Sequence, residues 1–167
     1  MKKRIIALGL LWCLSAVMLQ AARVDTVLVR SAAMNKDVKV VYVLPDKAIG
    51  KQACPVVYLL HGYGGNARSW VQLKPELPQM ADEKGIIFVC PDGKNSWYWD
   101  SPENPAYRYE TFVTSELVKY TDGNYATIPD RKARAISGLS MGGHGALWSA
   151  IRHKDVFGAA GSMSGGV

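Results

Sequence analysis

The chain has 167 residues, with 20 Lys and Arg against 14 Asp and Glu and a formal charge of +6. That length suits one domain with a real core, and no repeat or low-complexity tract argues otherwise. The basic residues are scattered, with no run that could track phosphates, so nucleic acid is excluded as a partner; Arg131, Lys132 and Arg134 read as a solvated turn and strand start.

Residues 1–21 read as a signal peptide. Met1-Lys2-Lys3-Arg4 forms a charged start, Ile5 to Leu19 an apolar stretch, and Leu19-Gln20-Ala21 or Ala22 offers a small residue for cleavage. A membrane anchor is the alternative, but the apolar run falls short of the roughly 20 residues a span needs. A lipid anchor is disfavoured because Trp12 precedes Cys13. The expectation is therefore export to the periplasm or beyond the cell, with no membrane partner once the leader is removed. Losing its three basic residues lowers the charge to about +3.

The mature domain spans residues 22–167. Val24 to Arg30 and Val38 to Leu44 are rich in β-branched residues around a polar link, a hairpin pair, and Pro45 closes the second strand. Val56 to Leu60 and Ile86 to Cys90 are unbroken apolar runs, the pattern of strands covered on both faces. Between them Leu77 to Lys84 predicts a short helix with Pro78 in its first turn and Gly85 as its stop. Tyr109, Phe112, Val113, Leu117 and Tyr120 mark one face of a helix ending near Asp122-Gly123. A strand at Ala135 to Leu139, a helix at Gly143 to Arg152 with Ala146, Leu147, Ala150 and Ile151 on one face, and a strand at Phe157 to Met163 complete the chain. Repeated strand and helix predict a mostly parallel sheet with helices on both faces and ligands at the carboxyl ends of the strands. Cys54 and Cys90 would then lie at opposite ends of neighbouring strands, far beyond the roughly 7 Å Cα limit for a disulfide, so both are expected to be free buried thiols.

Three loops at those carboxyl ends carry the candidate chemistry. Gly138-Leu139-Ser140-Met141-Gly142 sits between a strand and a helix, the setting in which Gly-x-Ser-x-Gly holds a serine nucleophile on a tight turn. The flanking glycines keep side chains away from the adjoining elements, and the Met141 N–H lies at the helix N-terminus, where developing negative charge is favoured. His61-Gly62-Tyr63-Gly64-Gly65 follows an earlier strand, and the N–H groups of Tyr63 and Met141 are the expected oxyanion donors. The loop from Pro91 to Asp100 holds Trp97, Tyr98 and Trp99; Trp97 and Trp99 are candidate substrate contacts, since aromatic walls suit sugars or aromatic acyl groups. No metal or cofactor is called for.

Leu60 to Gly65, Trp70, Pro91-Asp92-Gly93 and Gly138 to Leu147 together resemble one esterase branch of the α/β-hydrolases. That branch includes esterase D (S-formylglutathione hydrolase), tributyrin-type esterases, feruloyl and acetyl-xylan esterases and the mycolyltransferases. The resemblance implies an α/β-hydrolase sandwich and a serine esterase acting on short-chain or carbohydrate-linked esters through an acyl-enzyme on Ser140. It also implies a triad acid and His after the nucleophile, whereas only His144, His153 and Asp155 follow Ser140 here. His153 is about thirteen helical residues from Ser140 and His144 points sideways, so neither is expected to serve as base; His61 is read as structural. The expectation is an N-terminal portion of a longer hydrolase lacking its last strands, weak or inactive by itself. A non-catalytic module binding a glycan ester and an acyltransferase remain as alternatives, with oligomeric state open.

Overall fold

The computed structural model of the protein describes residues 22–166, so the leader falls outside the described residues. Six strands form one sheet in the order β1-β2-β4-β3-β5-β6. β1 (Arg23–Ser31) and β2 (Lys36–Leu44) pair antiparallel along their whole length, reversing through Asn35, which takes a positive φ of 49°. β2 also runs antiparallel to β4 (Ile87–Pro91). From there β4, β3 (Val56–Leu60), β5 (Arg134–Leu139) and β6 (Ala159–Met163) are parallel. The chain steps from β3 to β4 on one side, then crosses to β5 on the other. That reversal sets the His61 and Ser140 loops side by side at the carboxyl ends of β3 and β5, the place where folds of this kind bind ligands.

The unbroken apolar runs are explained by burial on both faces. On one face Val40, Tyr42, Tyr58, Leu60 and Val89 meet Tyr109, Phe112, Leu117, Met141 and Ala146. On the other, Val41, Val43, Leu59, Phe88 and Cys90 meet Ala67, Leu77 and Ala81. After the short α1 (Asp46–Ile49), the second layer comes from α2 (Ser69–Leu73) and α3 (Leu77–Lys84), the latter ending on Gly85 at φ 62°. The first layer comes from α4 (Tyr109–Thr111), a π turn (Phe112–Glu116), α5 (Leu117–Asn124) and α6 (Met141–Arg152). No helix among the described residues is long and apolar enough to cross a membrane.

Three details differ from the sequence expectation. The Tyr109 helix contains a π turn, where Thr114 Oγ1 donates to the Glu110 carbonyl (2.8 Å), the oxygen a regular α turn would give to the Thr114 N–H. Arg134 is buried rather than solvated, its guanidinium 2.6 Å from Asp122 Oδ2 in α5 and donating to the Val156 carbonyl (3.1 Å) ahead of β6. α6 buries Gly142, Gly145, Ala146 and Ser149, leaving Ile151 65 % exposed. Its close-packed face is the one made of small residues. Cys54 and Cys90 are free and buried, and the β3–β4 register, with Val56 opposite Ile87, sets them at opposite ends of the pair.

Candidate active site

Ser140 links β5 to α6 with φ 53° and ψ −117°, a conformation L-residues seldom adopt and one that holds the side chain out on an exposed turn. The turn survives only because its neighbours lack Cβ atoms. A Cβ on Gly138 would lie 2.2 Å from the Gly142 carbonyl carbon and oxygen, and one on Gly142 would lie 2.2 Å from the Leu60 oxygen and 2.7 Å from that of His61. Strand β3, the nucleophile turn and α6 therefore meet backbone to backbone. The Ser140 N–H donates to the Met163 carbonyl at the end of β6 (2.8 Å), and its own carbonyl accepts from His144 N–H (3.0 Å).

The His61 loop lies against this turn, with the Cβ position of Gly62 3.3 Å from the Leu139 oxygen and 3.6 Å from Ser140 Cβ. Among the described residues neither Tyr63 N–H nor Met141 N–H has a hydrogen-bond acceptor, while Gly64 N–H is taken by Asn95 Oδ1 (2.8 Å). The Tyr63 ring itself is 67 % exposed.

His61 is a strut. Gly93 N–H donates to its Nε2 (2.9 Å), which makes the ring the Nδ1–H tautomer, and that proton goes to the Gly62 carbonyl (2.7 Å). The Tyr98 hydroxyl closes the arrangement, accepting from His61 N–H (3.0 Å) and donating to the His61 carbonyl (3.3 Å). Burial pushes the Tyr98 phenol well up, so it stays a neutral donor. Asp92 is largely buried beside His61, which opposes ionisation. The bonds from Lys94, its N–H to Oδ1 (3.1 Å) and its ammonium to Oδ2 (2.7 Å), outweigh that and hold the carboxyl well below its usual range.

The aromatic loop divides. Tyr98 is fully buried, its ring filling the space that Gly93 and Gly145 leave empty, and Trp97 and Tyr98 both take positive φ. Trp97 and Trp99 are left on the surface at 39 % and 45 % exposure, edge-on to the His144 ring with centroids 5.6 and 5.5 Å away. Trp99 Nε1–H donates to His144 Nε2 (2.9 Å), and His144 Nδ1–H donates to the Gly166 carbonyl (2.8 Å). Both nitrogens of His61 and of His144 are thus committed to structural bonds, and His153 Nε2 donates to Glu110 Oε1 (2.8 Å) at the far end of α6. No histidine among the described residues can take a proton from Ser140.

Two supports were missed in the sequence. The Tyr98 anchor left no pattern, because its pocket is completed by Gly145 and the His61 backbone, both distant in the chain. The stripe His144, Trp148, Arg152 at four-residue spacing was visible on α6 and went unused.

A doubly layered, mostly parallel sheet with an exposed serine on a strained strand-to-helix turn at its switch point defines an α/β-hydrolase fold. Within that class the chain belongs to the family described as "Putative esterase", whose profile matches residues 31–167. It is 28 % identical over 135 residues to an acetyl esterase of Caldicellulosiruptor saccharolyticus, covering 76 % of this chain and 50 % of that protein. It is 34 % identical over 152 residues to the diacylglycerol acyltransferase/mycolyltransferase Ag85A of Mycobacterium leprae, covering 85 % of this chain and 44 % of the relative. A solved ferulic acid esterase superposes with a TM-score of 0.73 at 31 % identity, covering 87 % of this chain and 58 % of its own. The chain spans about half the length of these curated relatives.

Proposed function

We propose that the protein is an exported serine esterase in which Ser140 is the nucleophile. The observation that carries the reading is the exposed, positive-φ Ser140 held against a loop whose Tyr63 N–H, together with Met141 N–H, has no acceptor among the described residues. In the reaction Ser140 Oγ adds to the ester carbonyl carbon while a base takes its proton. Charge builds on the carbonyl oxygen, and the two N–H groups stabilise it without reorganising. Collapse expels the alcohol, which recovers the proton, and water then cleaves the acyl-enzyme by the same steps. The base and its carboxylate partner are not among the described residues, so this reading takes them from the part of the relatives' length that this chain does not span.

Trp97 and Trp99, beside the turn, are proposed to line the substrate, either an aromatic acyl group or a sugar-linked ester. Export rests on residues 1–21 and is tested by the N-terminus of the protein recovered from cells: cleavage next to Ala21 supports it. Hydrolysis of p-nitrophenyl acetate and methyl ferulate by the full-length protein tests the chemistry. A Ser140→Ala variant should lose at least about 10³-fold in kcat. Turnover unaffected by that change would remove Ser140 from the mechanism. Acyl transfer to a sugar hydroxyl would appear in the same assay as a new ester in place of free acid.

A further inference from the structure

The loop after β4 holds the His61 loop through three of its residues. Gly93 N–H donates to His61 Nε2 (2.9 Å), and the Tyr98 hydroxyl bonds both the N–H (3.0 Å) and the carbonyl (3.3 Å) of His61. Asn95 Oδ1 accepts from Gly64 N–H (2.8 Å). These anchors fall on either side of Tyr63. We propose that Tyr98 and Asn95 are positioning residues for the reaction at Ser140, clamping the backbone on both sides of Tyr63 so that its N–H stays aligned with that of Met141. The inference rests on the esterase reading above and assigns that reaction two further residues.

The segment needs a clamp because it cannot hold its own shape. Three of the five residues in His61-Gly62-Tyr63-Gly64-Gly65 are glycine, the residue that leaves the backbone most freedom. Its internal bonds both end on the Gly62 carbonyl, one from His61 Nδ1–H (2.7 Å) and one from Gly65 N–H (3.0 Å), and neither fixes the peptide of Tyr63. A donor there is preorganised for a developing oxyanion only when groups outside the segment fix it.

Tyr98 reaches both halves of the donor pair. Its hydroxyl is bonded to His61, two residues before Tyr63. Its ring lies against α6, the helix that begins at Met141, where a Cβ on Gly145 would meet Tyr98 Cδ2 at 2.6 Å. A rigid phenol set against α6 and bonded to the His61 backbone therefore fixes how far apart the two N–H groups stand. Burial keeps it neutral, so the hydroxyl can accept one bond and donate the other. The clamping loop is bent to deliver these groups: Lys94, Trp97 and Tyr98 take φ of 50°, 57° and 60°, left-handed conformations that persist in residues with side chains only where the surroundings enforce them.

Hydrolysis of p-nitrophenyl acetate by full-length Asn95→Ala and Tyr98→Phe proteins tests the clamp, with circular dichroism to confirm folding. Each variant should lower kcat about tenfold or more and leave KM within about twofold, because the oxyanion exists only after the substrate is bound. Affinity for a trifluoromethyl ketone, whose adduct on Ser140 sets an oxyanion before the same two N–H groups, should fall in step with kcat. Asn95 is exposed, so its variant remains informative if Tyr98→Phe unfolds the chain. Parental kcat in either folded variant, a rise in KM at unchanged kcat, or ketone affinity unchanged while kcat falls would each overturn the proposal. Amide hydrogen exchange of the peptide spanning His61 to Gly65 is read in parallel and needs no turnover. Exchange about tenfold faster in the variants supports the clamp, and unchanged exchange overturns it. A parent protein that hydrolyses no ester refutes the esterase reading, and exchange then decides the clamp by itself. Hydrolysis that Ser140→Ala abolishes and both clamp variants retain refutes the clamp alone.

Discussion

Gly142→Ala is the sharpest mutational test of how the candidate nucleophile is held. The added methyl would sit 2.2 Å from the Leu60 carbonyl oxygen, 2.6 Å from the Leu60 carbon and 2.7 Å from the His61 oxygen. All three are backbone atoms at the end of β3, so no side chain can swing away. Restoring even a 3.0 Å contact moves α6 and β3 apart by about 0.8 Å. Overpacking of this kind destabilises by about 1–3 kcal/mol, and the upper end applies because a strand and a helix must separate. For a domain of this size that lowers Tm by about 6–12 °C. The same shift separates Tyr63 N–H from Met141 N–H, and a displacement near 1 Å is worth about 10²-fold in rate. The control is Gly123→Ala, where a Cβ meets nothing within 4 Å and an exposed helix position gains about 0.5–1 kcal/mol. Thermal unfolding of both variants decides the matter. A Gly142→Ala protein within about 0.5 kcal/mol of the parent would refute the close-contact argument, since surface-like tolerance is of that size.

Four further outcomes are expected. Ser140→Gly should raise stability by about 1 kcal/mol while Ser140→Ala does not, because only glycine relaxes a φ of 53°; equal unfolding midpoints would remove the strain. Arg134→Ala should cost about 3 kcal/mol, since it strands Asp122 beside the core; a loss below 1 kcal/mol in denaturant unfolding would mean that the pair is solvated. Burial raises the Glu110 carboxyl, but the bonds from Trp148, Arg152 and His153 outweigh it and hold the group below its ordinary value. A carboxyl depressed on folding stabilises above its unfolded pKa of about 4.3, and that stabilisation is lost as pH falls through the folded value. Glu110→Gln should therefore be less stable at neutral pH and show a shallower acid-range loss; identical pH–stability curves would contradict the bonding. Burial pushes both thiols up, so Cys54 and Cys90 should resist a thiol reagent in the native protein and react fully in denaturant.

Much of this was legible because the relevant signals are local. Val56–Leu60 and Leu77–Lys84 match to the residue, since an unbroken apolar run and a Pro-started, Gly-stopped helix each specify their own ends. The Ser140 turn was legible because its Gly-x-Ser-x-Gly pattern between a strand and a helix is complete within five residues, although the atoms that exclude a side chain at Gly142 lie on β3. What escaped was set by distant partners. The partners of Arg134 and Tyr98 come from elements far along the chain, and the π turn depends on a threonine hydroxyl competing for one carbonyl. Ile151 was expected on the packed face of α6, yet the helix turns its glycines inward because Tyr98 occupies the space beside Gly145.

The identity of the nucleophile is open to direct measurement. Full-length protein treated with a fluorophosphonate, then digested and mapped by mass spectrometry, should carry one adduct on the peptide containing Ser140, absent from Ser140→Ala. An adduct on another residue, or labelling that persists in the variant, would contradict it.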